Sequence, residues 1–367
     1  MRAKLLVPIL VLAVFAGLAG LMPGIAPAGE IPSASHFKVL APIGHGNLTI
    51  FPVVATTSHD TQDFLTLDEG LRSGDVIVSE SGNVAPLVRP RHGFRPPRNN
   101  PGDGAEVNRL VLVNNSKHPL ILLAGEIVTG GKQDRVIGKD RLVPAESDPI
   151  DLSVFCVEPG RWTATKTNFG SFDAAPMAGP AVRARAMADK NQEMVWSEVR
   201  KAQGSMAAQV SAPMAAAIGG TSSYARVMQN DEVKKKVDAV AEPMQHDYQS
   251  VIKQLRDRNA VGVVVAVNGQ IIWADIFANT SLLEKYWPKL VRSYAAEAIA
   301  NQVKSHEADL KSAQQFIDNL ESRREIVESE PGLYRHTEIT GDGFKAFELT
   351  SLLPRTGFDL HLAKMAE

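Results

Sequence analysis

Residues 261–277 read VGVVVAVNGQIIWADIF. Two apolar runs, Val261–Val267 and Gln270–Phe277, flank Asn268-Gly269, the dipeptide best suited to the left-handed residues of a two-residue turn. The stretch predicts a β-hairpin. Before it, Ala181–Ala208 and Asp231–Asn259 carry a helical pattern. Small residues around Pro213–Thr221 interrupt that pattern, and Pro243 is expected to kink or end its helix. After the hairpin, Ser281-Leu282-Leu283-Glu284 fits a capping box and opens a long helical region running to about Val327. Trp287, Leu290, Val291 and Tyr294 recur there at helical spacing and give one apolar face, expected to pack on the hairpin. Strand-like runs return around the Gly341-Asp342-Gly343 turn.

The first half reads as β-rich. Leu48–Val54 is a strand interrupted at Pro52, which suggests an edge or a bulge. Thr66-Leu67-Asp68-Glu69 is a capping box, and Gly70 and Gly74 keep its helix short. Asp75–Ser79 follows as a strand. Arg89–Gly104 has no apolar period, and its Arg89, Arg91, Arg95 and Arg98 mark an exposed loop. Val107–Val113 and Leu120–Val128 are strands joined by five polar residues, as in a hairpin. Asp151–Glu158 alternates, with Leu152, Val154 and Cys156 on one face. Asn168–Pro180, rich in Gly, Ala and Pro, reads as a linker. The fold class is α+β, with an antiparallel, sandwich- or barrel-like β-rich sheet, a helical middle section and a long C-terminal helical region.

Arg2 and Lys4 precede an apolar run, Leu5–Met22, and Ala26-Pro27-Ala28 supplies small residues for cleavage. This order predicts a signal peptide, 1–28, and a periplasmic or extracellular protein of bacterial type. An uncleaved anchor is the alternative. The chain holds 39 Lys+Arg against 41 Asp+Glu, which leaves no basic footprint for nucleic acid. Beyond the export signal no segment predicts membrane contact. Cys156 is the only cysteine, so no internal disulfide forms. Its alternation with core residues predicts a buried thiol.

Familiar catalytic signatures are missing. His306-Glu307 lacks the second histidine of a zinc protease, and no Gly-x-Ser-x-Gly occurs. The Ser-x-x-Lys matches at Ser35–Lys38 and Ser250–Lys253 stand without their companion motifs. Gly130-Gly131-Lys132-Gln133 resembles a phosphate loop, but Gln133 replaces the hydroxyl that would hold magnesium. No cofactor and no metal site is predicted.

The segment from Gly125 to Arg135 reads GEIVTGGKQDR. Counting by twos places Glu126 on the face of Leu120, Leu122 and Ala124, where a carboxylate must be paired or stand at a cavity mouth. Gly130 and Gly131 permit turns whose N–H groups form an anion nest, beside Lys132, Gln133 and Arg135. Glu158 ends the second strand, with Arg161 and Trp162 next. Glu126, Asp134 and Glu158 are therefore the candidate catalytic carboxylates. Gly130, Gly131, Lys132, Gln133, Arg135, Arg161 and Trp162 are the candidate ligand-binding set. The bland reading is that Glu126 and Glu158 pair with Arg135 and Arg161 and merely pin strand ends.

Asn47–Pro52, Leu65–Gly74, Gly125–Val136, Cys156–Trp162, Val195-Trp196-Ser197-Glu198, Asn268-Gly269 and the helix with Trp287 together resemble the ARG and Rhodanese-Phosphatase-superfamily-associated domain family. The resemblance spans residues 36–362. It implies a neighbourhood of ADP-ribosylglycohydrolases, rhodanese-like and phosphatase proteins, without a mechanism to carry over. Within it lie a β-rich part (36–162), a helical insert (181–259), the hairpin with the helical region (261–327) and C-terminal strands (333–362). The Arg89–Gly104 loop reads as an insertion. The functional expectation is an exported, non-enzymatic binding or interaction protein for an anionic or hydroxylated small molecule, or for a protein partner. The alternative is a hydrolase of a glycosidic or ADP-ribosyl bond using paired carboxylates. The thin apolar stripe through residues 300–327 allows a homodimer.

Overall fold

The computed structural model describes residues 37–61, 63–80, 87–89, 106–162, 168–170, 177–254, 259–301, 308–320, 323–354 and 357–367. The segment expected to be a signal peptide and most of the Arg-rich loop lie outside them. The described residues fall in one compact unit. The hairpin of 261–277 lies inside a nine-stranded antiparallel sheet. That sheet comprises β1 (Phe37–Val39), β2 (Ile43–His45), β3 (Leu48–Ala55), β13 (Asn259–Val267), β14 (Gln270–Phe277), β15 (Arg323–Glu330), β16 (Tyr334–Gly341), β17 (Phe344–Ser351) and β18 (Asp359–Ala366). Strand β3 is therefore not an edge. Strand β1 pairs with Val53–Ala55 and β2 with Leu48–Ile50, so the N–H that Pro52 lacks falls in the gap between them.

Both faces of the central hairpin are buried, which is why it reads as a continuous apolar run. Val263, Val265 and Val267 join a cluster with Tyr286 and Leu290 of helix α7 (Thr280–Ala300). Val264 and Ala266 join Ala313 and Ile317 of α8 (Leu310–Asp318) on the other face. Asn279 caps α7, its side chain accepting from the Leu282 N–H at 2.8 Å, in place of the expected Ser281. The long helical region does not reach Val327. It stops at Ala300, resumes over Leu310–Asp318, and gives way to β15, which turns through Pro331-Gly332 and pairs with β16. Gly332, at φ 74°, makes that turn possible.

A six-stranded sheet holds β5 (Val76–Glu80), β6 (Arg109–Asn114), β8 (Ile127–Val128), β9 (Arg135–Ile137), β11 (Ile150–Cys156) and β12 (Asn168–Phe169). A three-stranded sheet holds β4 (Leu65–Thr66), β7 (Leu120–Leu122) and β10 (Arg141–Val143), with β4 and β7 parallel. One apolar cluster, containing Leu110, Leu112, Leu120 and Val154, joins these two sheets. Three expectations change here. The runs around 107–113 and 120–128 are not a hairpin, because β6 and β7 belong to different sheets. The Asn114 amide holds the connection instead, donating to the His118 and Pro144 carbonyls at 2.8 and 2.9 Å. The 120–128 run breaks at Gly125, at φ 96°. Part of the supposed linker, Asn168–Phe169, is a strand paired with β5.

Helix α1 (Leu67–Ser73) has the capping box. Thr66 Oγ1 accepts from the Glu69 N–H at 3.3 Å, and Glu69 Oε2 accepts from the Thr66 N–H at 2.8 Å. Such a cap is worth about 1 kcal/mol. The middle section contains α2 (Pro180–Ala184), α3 (Gln192–Ala207), α4 (Ala212–Gly219), α5 (Tyr224–Met228) and α6 (Asp231–Gln254). The small-residue stretch around Pro213 is thus helical, with Pro213 in the first turn where no N–H partner is lost. Pro243 does not end α6. Val233, Val237, Ala241, Met244 and Tyr248 hold the helix in the main core through that point, and Tyr248 lies 4.3 Å from Trp287 between ring centroids.

Candidate functional site

The polar segment folds into a closed network. Arg161 donates to Glu158 Oε2 at 2.5 Å, to Asp134 Oδ1 at 3.3 Å, and to the Gly130 and Gly131 carbonyls at 3.2 and 2.8 Å. Asp134 Oδ2 accepts from Ser223 Oγ at 2.7 Å, and Glu158 Oε2 accepts from the Asp134 N–H at 3.0 Å. Burial, with Glu158 adding repulsion, raises the Asp134 pKa despite Ser223 and Arg161. The nest at Gly130 and Gly131 is filled by the protein's own carboxylates. The Gly130 N–H donates to Asp134 Oδ1 at 3.2 Å, and the Lys132 N–H donates to Glu80 Oε1 at 2.7 Å. A side chain at Gly131 would collide with Phe169 and Glu80.

Gln133 donates to the Glu158 carbonyl at 3.2 Å. Arg135 is fully buried and donates through Nε to the Val107 carbonyl at 2.7 Å, so Glu126 is not its partner. Trp162 is 46% exposed, with the Lys132 ammonium 5.1 Å from its ring centroid. Cys156 is buried, and burial pushes its thiol pKa up.

Glu126 belongs to a second network. Its Oε2 accepts from the Leu123 N–H at 2.7 Å, and its Oε1 from Lys289 Nζ at 2.6 Å. Lys289 also reaches Asp68 Oδ2 at 2.6 Å. One ammonium thus serves two carboxylates, and all three are at least partly withdrawn from water. Burial raises the Glu126 pKa; Lys289 opposes that and Asp68 reinforces it. Burial would lower the Lys289 pKa, but Glu126 and Asp68 more than reverse this. Lys289 and Asp68 form part of the wall of a cleft of about 830 Å³ between α1, α6 and α7. Its rim is mixed in charge: Arg72, Lys234, Lys285 and Arg292 stand among Glu69, Asp231 and Asp238. Lys285 pairs with Glu69 at 3.1 Å and Arg292 with Asp238 at 3.0 Å. Glu126, Asp134 and Glu158 do not line this cleft. The sequence signal for it was slight, a lysine on the apolar face of α7, one turn from Tyr286.

A third polar group lies deep in the core. Asp275, in the middle of β14, accepts from both terminal nitrogens of Arg183 at 2.8 and 2.9 Å, from Tyr294, and from His361 Nε2 at 3.1 Å. His361 Nδ1 reaches Asp140 Oδ2 at 2.5 Å. Arg183, Asp275, Asp140 and His361 are all shielded from water. The charge in IIWADIF, inside a strand buried on both faces, was the signal for a partner. Among the described residues, no group of three or more His, Cys, Asp or Glu is placed to hold a metal ion.

These features define an α+β protein whose polar strand ends are closed by internal ion pairs and in which a cleft of about 830 Å³ opens beside a doubly paired lysine. The chain belongs to the ARG and Rhodanese-Phosphatase-superfamily-associated Protein domain family, which it matches over residues 36–363. No curated protein and no solved structure matches it.

Proposed function

We propose that this is an exported, non-enzymatic binding protein that holds a hydroxylated or anionic small molecule in the cleft beside Lys289. The observation that carries the reading is the ammonium of Lys289, fixed by Asp68 and Glu126 at the wall of a cleft within the usual size range for small-molecule sites. Fixed donors and acceptors of both signs suit a ligand with several hydroxyls. A hydrolase would need two of Glu126, Asp134 and Glu158 facing one cavity. Asp134 and Glu158 close on Arg161 and Glu126 closes on Lys289, so binding has the better support.

Thermal-shift and calorimetric screening with sugars, nucleotides and phosphorylated metabolites should yield a ligand. The rim variant Arg72→Glu/Lys234→Glu should weaken it about tenfold or more, a loss of about 1.4 kcal/mol. A ligand bound equally well by that variant would place the site elsewhere. For export, protein recovered outside the cytoplasm should begin at Gly29. A cytoplasmic chain retaining Met1 would defeat that half of the proposal.

A further inference from the structure

A second cavity, of about 360 Å³, lies where β9–β11, α2 and strands β15–β17 meet, and it shares no residue with the cleft beside Lys289. Three departures from regular geometry converge on its wall. Helix α2 runs on into a π-turn, Arg185–Asp189, which carries Met187. Lys190 then adopts φ 50°, a left-handed conformation uncommon for a residue with a side chain. Strand β15 bulges at Val327, where its pairing with β16 slips between Ile326 and Glu328. π-Turns, bulges and strained residues each cost stability and collect at functional sites.

His336 lines the same cavity. It is 2% exposed, and among the described residues neither ring nitrogen has a hydrogen-bond partner. Burial first, with Lys139 and Lys190 adding repulsion against the pull of Asp140, lowers its pKa to about 4. At neutral pH the ring therefore offers one donor and one acceptor. Lys139 and Lys190 both line the cavity and repel one another, and Arg141 adds to the repulsion on Lys139. Each ammonium has a carboxylate partner, Glu328 for Lys139 and Glu338 for Lys190, the latter at 2.8 Å. Of those two carboxylates only Glu328 lines the cavity, so its charged lining is two ammonium groups against one carboxylate. An anion between the two lysines would relieve that excess. The rest of the wall is mainly apolar, with Phe155, Met187, Val327 and Phe347 beside the polar side chains of Asn108 and Ser153.

We propose that this cavity is a binding site for a small organic carboxylate, its head group held by Lys139, Lys190 and the His336 N–H, its apolar body against Phe155, Met187 and Phe347. Calorimetric titration of the full chain with phenylacetate and 4-methylpentanoate, against their amides, tests it. At least one acid should bind, about tenfold or more tighter than its amide. Met187→Trp should fill the cavity and abolish binding. Lys190→Asn removes the charge while tolerating the left-handed backbone, and should weaken binding about tenfold. His336→Phe should also weaken binding, yet raise the melting temperature of the free protein, because it removes a buried polar group without partners. Absence of binding by both acids at millimolar concentration would overturn the proposal. So would equal affinity for acid and amide, or binding undiminished by Met187→Trp. A His336→Phe protein that melts lower and binds unchanged would make His336 a core residue and overturn it as well.

Discussion

Replacing Asp275 by Asn is expected to lower the unfolding free energy by about 3–5 kcal/mol, the cost of leaving a buried charge without its partner. Asp275 is the hub of a polar group shielded from water in the core. It neutralises Arg183 through two parallel hydrogen bonds and also receives Tyr294 and His361. Burial alone would raise its pKa; the Arg183 guanidinium and the hydrogen bond from His361 reverse this and hold it far below the carboxylate range. With His361 protonated, Arg183 and His361 balance Asp275 and Asp140. The amide of Asn leaves one positive charge in excess where no water reaches it. Arg183→Met should destabilise by a similar amount in the opposite sense of charge. The double variant should lose clearly less than the two single losses combined, since it removes both members of the pair. Urea denaturation of the three variants provides the cycle. A single Asp275→Asn protein within about 1 kcal/mol of the parent would mean that the hub contributes little.

Much of the architecture was legible wherever local pattern and burial agree. The hairpin at Asn268-Gly269, the capping box at Thr66 and the alternation of β11 all hold. Elsewhere distant partners overrode local signals. Pro52 sits in an interior strand because β1 and β2 leave a gap beside it. The 120–128 run breaks at Gly125 because the Arg183 side chain packs against that position, where an added Cβ would lie 2.5 Å from Arg183 Cγ. Residues 323–330 are rich in charge, yet pairing with β16 makes them a strand; the Pro331-Gly332 turn was the cue.

The candidate site was legible as a cluster but not as a set of bonds. The sequence grouped Glu126, Asp134 and Glu158 with Arg135 and Arg161; Asp134 and Glu158 do meet on Arg161, while Glu126 lies apart on Lys289 and Arg135 on the Val107 carbonyl. It could not supply Ser223, Glu80 or Lys289, which approach from remote segments and satisfy the very groups expected to meet a ligand. Nor do His336 and Asp275 belong to any spaced motif. For such residues the useful question is which polar atoms a strand or helix would bury, because each one demands a partner from elsewhere in the chain.

Stability should fall on the alkaline side of neutrality, with His361 and Glu348 as causes. The two ring nitrogens of His361 face Asp140 and Asp275, and ionised carboxylates only accept hydrogen bonds. Both nitrogens must therefore carry protons, and the ring is an imidazolium. Burial alone would lower its pKa, but Asp140 and Asp275 raise it from 6.5 to about 9. A raised pKa in the folded state gives stability that is complete below about pH 6.5 and is lost as pH climbs through 9. The shift corresponds to about 3 kcal/mol. Glu348, raised to about 9 by burial and by Asp359, loses stability in the same direction, beginning at lower pH. Asp140 and Asp275 have the opposite sign, and their contribution is lost only in acid. Lys364, lowered to about 8 by burial, has the opposite sign, its contribution growing as pH rises through 8. Denaturation of a Glu348→Gln/Lys364→Met protein near neutral and near alkaline pH should therefore leave a His361 share on the order of 3 kcal/mol. In the folded protein the His361 ring resonances should stay unchanged until the pH passes well beyond neutrality. A ring that titrates near 6.5 instead would show that the two carboxylates do not hold its second proton, and the balanced charge group at the centre of the sheet would have to be redrawn.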